Sequence, residues 1–158
     1  MELTEILNVI LISATPISEL RGGIPVAYFR YDFEWYWAFI IAVAGNILPI
    51  PFLLALYDPV VKLLSRIGWI KRLAEWFFRY TRRRGGLVEK YGWIGLAVFV
   101  GIPLPITGAW TGSVLAYLMG IEYRRALLAI FLGVIMAAII VTAFCVLGWE
   151  AYLFLKHE

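Results

Sequence analysis

Residues 15–28 read TPISELRGGIPVAY, which places a carboxylate, Glu19, and a guanidinium, Arg21, inside otherwise apolar sequence and flanks them with Pro16, Gly22, Gly23 and Pro25. The apolar run before them, residues 6–14, is far shorter than the roughly 20 residues that cross a hydrocarbon core as a helix, and residues 24–29 after them are shorter still. The prolines and glycines are expected to break the helix between the two. Two short arms joined by a polar tip describe a re-entrant hairpin over residues 6–29. One kinked spanning helix over residues 3–29 is the competing reading. Charges at membrane depth are costly, so under either reading Glu19 and Arg21 are candidate functional residues.

Composition supports a membrane setting. Of the 158 residues 63% are apolar and 16% aromatic, and the mean hydropathy of +0.84 lies outside the usual range of a water-soluble globule. The class expected is an all-α integral membrane protein. Cys145 is the only cysteine and lies in an apolar run, so neither a disulfide framework nor a cysteine metal site is expected. His157 is the only histidine, which leaves no zinc pair and no imidazole base for a nucleophile. No enzyme activity, catalytic residue, metal or cofactor is expected. Glu2 and Glu5 stand where a cleaved leader would carry Lys or Arg, so the first apolar run is expected to be retained. The net charge of +3 is modest and its basic residues sit between membrane segments, which argues against a nucleic-acid partner.

Beyond the polar joint RYDFE at 30–34, residues 35–56 form a full span opened by Trp35, Tyr36 and Trp37. Inside it the run GNILPIP, with Gly45, Asn46, Pro49 and Pro51, is expected to interrupt regular helix. Asn46 is a candidate lining residue, or equally a helix-to-helix bonding partner. Residues 59–84 alternate a basic face with an apolar stripe at helical spacing, as an amphipathic helix at the membrane surface or a solvated linker would. A second broken segment follows over residues 93–121. Its expected breaks are Gly101, Pro103, Pro105, Gly108 and Gly112, and Gly112, Ser113 and Ala116 also allow close packing. Residues 126–149 form the second span.

The two broken segments repeat. PISELRGGIPVAYF at 16–29 aligns without gaps on PITGAWTGSVLAYL at 105–118, matching Pro16 with Pro105, Ile17 with Ile106, Gly23 with Gly112, Ala27 with Ala116 and Tyr28 with Tyr117. The repeats are 3–56 and 91–149. If each hairpin enters and leaves on one face, the single span between them inverts the second half. All of the 14 basic residues except Arg21, Arg30 and Lys156 then fall on one side. The positive-inside rule puts that side, with residues 57–90, in the cytoplasm and both termini outside. Four full spans would place Arg124 and Arg125 opposite the main basic block.

Inverted repeats with broken helices meeting near the midplane are a recurring plan of secondary transporters. The first tip offers Ser18, Glu19 and Arg21, and the second Thr107, Thr111 and Ser113. Glu19 is suited to bind a cation or carry a proton, and Arg21 to hold an anion or pair with Glu19. The expected function is ion- or proton-coupled export of a small or lipid-like amphiphile. A lipid-phosphate translocase and a non-transporting membrane scaffold are the alternatives. Membrane lipids are the expected surroundings, and two spans with two hairpins leave so little protein around the polar tips that a homodimer or larger assembly is expected.

With SELRGGIP, GNILPIP and GIPLPITGAWTGS on the page, the chain resembles the prokaryotic small multidrug export family over almost its whole length. The resemblance implies efflux of drug-like compounds. In architecture the chain also resembles the DedA (VTT-domain) superfamily, implying movement of lipid-linked phosphates with the help of embedded acidic and arginine residues. DedA-type proteins carry an arginine after the proline of the second broken segment, whereas Thr107 and Gly108 follow Pro105 here.

Overall fold

In the computed structural model, which describes residues 2–64, 72, 75, 76, 79, 86–104 and 107–156, every regular element among those residues is helical. Helix α1 (Leu3–Ala14) opens with a reciprocal cap, the Glu2 amide donating to Glu5 Oε2 at 2.8 Å. It closes where Thr15 turns extended and its hydroxyl donates to the Ile12 carbonyl at 2.8 Å. At about 1.5 Å per residue α1 is roughly 18 Å long, too short to cross a bilayer core of about 30 Å.

The chain resumes as α2 (Glu19–Pro25), which runs into a π-helical turn (Val26–Arg30). This corrects one expectation. Pro16 lies in the break, but Gly22, Gly23 and Pro25 are helical. Pro25 lacks the amide that would bond the Arg21 carbonyl, and the wider turn follows it, with the Tyr31 amide reaching back to the Val26 carbonyl at 3.2 Å.

The span expected at 35–56 is two helices, α3 (Trp35–Ile47) and α4 (Ile50–Leu64), interrupted at Leu48 and Pro49. Prolines at 49 and 51 remove the amides that would bond the carbonyls of Gly45 and Ile47. Gly45 itself is helical and Pro51 sits in the first turn of α4, where a missing amide costs little, so neither is a break. No boundary separates this span from the helix expected to start at 59, because α4 continues through Asp58 and Pro59. Most of residues 65–84, together with Pro105, Ile106 and His157, lie outside the described residues. Arg72, Glu75, Trp76 and Arg79, at three- and four-residue steps, are helical and exposed.

Helix α5 (Gly86–Gly101) starts before the expected arm and turns sharply at Gly92, whose φ of 59° favours glycine. Pro103 lies in the non-helical stretch that follows, Gly108 caps α6 (Ala109–Leu118), and Gly112 is inside that helix rather than a break. Helix α7 (Tyr123–Lys156) exceeds its expected bounds of 126–149 at both ends. Its charged first turn is held by Glu122, whose carbonyl accepts the Ala126 amide at 2.8 Å and whose carboxylate lies 3.6 Å from Arg125.

The helical glycines are contact points. A Cβ on Gly45 would stand 2.8 Å from the Ile10 carbonyl oxygen, so α1 and α3 touch backbone to backbone there. Gly23 and Gly112, matched in the sequence repeat, each press on the preceding arm and the following long helix of their own half: Ser13 and Ala42 for the first, Val100 and Ile130 for the second. Accordingly α1 packs on α3 and α5 on α7, while α2 bridges α3 and α7, and α4 lies against α6. Ile24, Ile50, Leu96, Leu115 and Ile130 fill the interior.

Two sets of contacts mark the ends of the bundle. Asn8 bonds the Tyr31 hydroxyl at 3.3 Å and Phe29 packs on Trp149, so the start of α1, the joint after the π turn and the end of α7 lie together. Opposite, Tyr57 stacks on Tyr117 and the Tyr123 hydroxyl lies 3.5 Å from the Pro51 carbonyl. Trp35–Tyr57 and Tyr123–Glu150 are long and apolar enough to cross a membrane. Only 33% and 39% of their most apolar windows are buried, against the mostly buried core helix of a soluble protein. Leu11, Phe52, Leu128, Phe144 and Leu147 are among the large side chains that face outward, as lipid contact requires.

Candidate functional site

The two broken segments meet, and the charges of the first carry the contact. Glu19 opens α2 with a φ of 48°, a left-handed conformation costing a residue with a Cβ about 1–3 kcal/mol. That backbone turns its side chain toward the N-terminus of α6, where Trp110 N–H donates to Glu19 Oε1 at 3.2 Å. The Ala109 amide also faces the carboxylate. An anion at a helix N-terminus meets unpaired amides and the positive end of the helix dipole. Glu19 therefore caps a helix of the second broken segment, and it is 6% exposed. Gly108 leaves the room for it, since a Cβ there would run into the carboxylate.

Arg21, half-buried, turns to the same segment. Its Nη2 donates to the Thr107 carbonyl and lies 3.3 Å from the Thr107 hydroxyl, which in turn donates to the Ile102 carbonyl at 2.7 Å. Glu19 and Arg21 act on each other through charge, but each bonds across to the second segment. Trp110 returns the contact, its indole Nε1 donating to the Ala14 carbonyl at the end of α1 at 3.1 Å. Each tip thus satisfies backbone groups that the break in the other leaves open.

Two more polar side chains are buried on α3 and α1. Asn46 is fully buried and its side-chain amide faces the Glu19 carboxylate as a donor, at a geometry looser than a full hydrogen bond. Ser13, also fully buried and unbonded at Oγ, sits against Gly23 and Gly45. Leaving the Ser13 hydroxyl unpaired costs about 1–3 kcal/mol.

Of the residues expected to form the site, Glu19, Arg21, Asn46 and Thr107 come together. Ser113 is buried, and its hydroxyl donates to the Ala109 carbonyl of its own helix at 2.6 Å. Ser18 and Thr111 are half-buried beside the contact, at the starts of α2 and α6. Sequence reasoning missed Trp110 and Ser13, and took Gly108 only as a break. A tryptophan between small residues at the second tip was the available signal, since a buried indole N–H usually finds an acceptor; nothing marked Ser13. No three His, Cys, Asp or Glu side chains converge as a metal site among the described residues.

Residues 19–140 match the model of a family described as putative small multi-drug export protein. Neither the curated proteins nor the solved structures give a match. The likeness to the DedA superfamily is not shown by these comparisons.

Proposed function

This chain belongs to the small multi-drug export protein family, and on that footing we propose that it is a membrane exporter whose two broken segments are opposed re-entrant hairpins related by inversion. Family membership and two apolar helices support export at the membrane, by a transporter rather than an enzyme. In the proposed mechanism the tips form the gate, and a proton or cation taken up at Glu19 drives export of a small amphiphile.

The observation that carries this reading is Glu19 crossing from the first tip to the amides of α6. Hydrogen bonds to a charged group contribute about 1.5–3 kcal/mol, and the left-handed backbone at Glu19 costs a similar amount. The backbone cost at Glu19 offsets part of what the docked contacts contribute, which eases their opening. Arg21 holds the second tip through Thr107, which leaves it engaged and weighs against a lipid phosphate as the cargo.

Reconstituted into liposomes, the protein is expected to move a lipophilic substrate against an imposed proton gradient. Glu19→Gln keeps an acceptor for Trp110 but not the charge, and is expected to abolish coupled flux while the protein still elutes as a folded species. Unchanged coupled flux in that variant contradicts the role of Glu19.

A further inference from the structure

At the end of the bundle that holds residues 30–34 and Trp149, a cavity of about 200 Å³ is lined by Tyr28, Phe29, Asp32, Phe33, Glu34 and Trp149. Four aromatic rings and two carboxylates surround one space. The walls are braced: Phe29 packs on Tyr28 and on Trp149, with ring centroids 5.0 and 5.8 Å apart, and Phe33 is buried with its amide bonded to the Ala27 carbonyl. Asp32 is exposed in a left-handed turn that aspartate tolerates. Among the described residues, Asp32 and Glu34 make no ion pair within 4 Å, and the nearby Arg30 lies over the Tyr31 ring instead.

An apolar groove of about 390 Å³ is lined by Trp35, Phe39, Ile139, Thr142, Val146 and Leu147 among others. The cavity and the groove share their walls in sequence, Glu34 beside Trp35 and Leu147 close to Trp149. Thr142 is nearly buried in the groove wall with its hydroxyl unbonded.

Aromatic faces attract cations without a strong hydration shell, and carboxylates add charge. An alkyl chain suits the groove. We propose that this end of the bundle binds an amphiphilic organic ammonium ion, the ammonium head held by Trp149, Phe29, Tyr28 and the carboxylates of Asp32 and Glu34, and its alkyl chain lying in the groove along α3 and α7. The site's role in recognising the exporter's cargo rests on the reading above; the binding does not.

Calorimetric titration of the full chain in a non-ionic detergent tests it, with hexyltrimethylammonium as probe and hexyl sulfate, which has the same chain and opposite charge, as control. The cation is expected to bind and the sulfate not. Asp32→Asn with Glu34→Gln, two exposed positions that leave the fold intact, and separately Trp149→Leu, are each expected to weaken cation binding by about fivefold or more. Equal binding of the sulfate, or a double variant that binds the cation as the parent does, overturns the proposal. Competition by dihexanoylphosphatidylcholine but not by dihexanoylphosphatidylglycerol identifies the ammonium as a lipid headgroup; no competition by either identifies it as a free amphiphile. Glu19→Gln is expected to bind the cation normally, so loss of coupled flux and loss of binding report on different claims.

Discussion

Glu19 and Gly108 occupy one volume between them, and each explains the other. The carboxylate reaches the α6 amides only because residue 108 has no side chain. Gly108→Ala is therefore expected to push the tips apart, lowering the thermal midpoint and the transport rate together. Adding Glu19→Ala should recover much of the lost stability without recovering transport, a coupling that a double-mutant cycle reads directly. Trp110→Phe keeps the ring and loses the donor to Ala14, an expected cost of about 1 kcal/mol measured by thermal unfolding in detergent. At this scale the sequence disclosed the charges and not their partners. Glu19 and Arg21 stand out because apolar sequence surrounds them. Their acceptors and donors are the Thr107 carbonyl and the Trp110 amide, backbone groups that every residue carries and no residue name reveals.

Helix breaks were legible as regions and misplaced as residues. Proline and glycine alike suggest interruptions, yet only Pro16, Pro49, Gly101, Pro103 and Gly108 of the expected breaks lie in or beside one among the described residues. Gly22, Gly23, Gly45 and Gly112 are helical, and Gly23, Gly45 and Gly112 let neighbouring elements touch. Which purpose a glycine serves depends on what lies opposite, information that spacing along one chain does not carry. Gly45→Ala drives a methyl group into the Ile10 backbone and is expected to destabilise the protein by about 1–3 kcal/mol, seen as an earlier unfolding transition. The helix ends of α4 and α7 were missed for a simpler reason. Hydropathy marks where a membrane ends, whereas a helix continues into water for as long as its amides find carbonyls.

For the whole molecule, composition points to the all-helical architecture with two helices able to cross a membrane, and the match of 16–29 with 105–118 is the basis of the proposed repeat. The meeting of the tips was an expectation that the Glu19 and Arg21 contacts now make specific. In the proposed topology each broken segment enters and leaves the membrane on one face, the second inverted relative to the first. Labelling with a membrane-impermeant maleimide tests it most directly, using single cysteines in place of Glu2, Glu34, Gly86 or Glu122 in a Cys145→Ala background in intact cells. The account predicts that positions 2 and 34 label from outside, and that positions 86 and 122 label only after the membrane is opened. Labelling of positions 2 and 34 from opposite sides would mean that the first segment spans the membrane, and would contradict it.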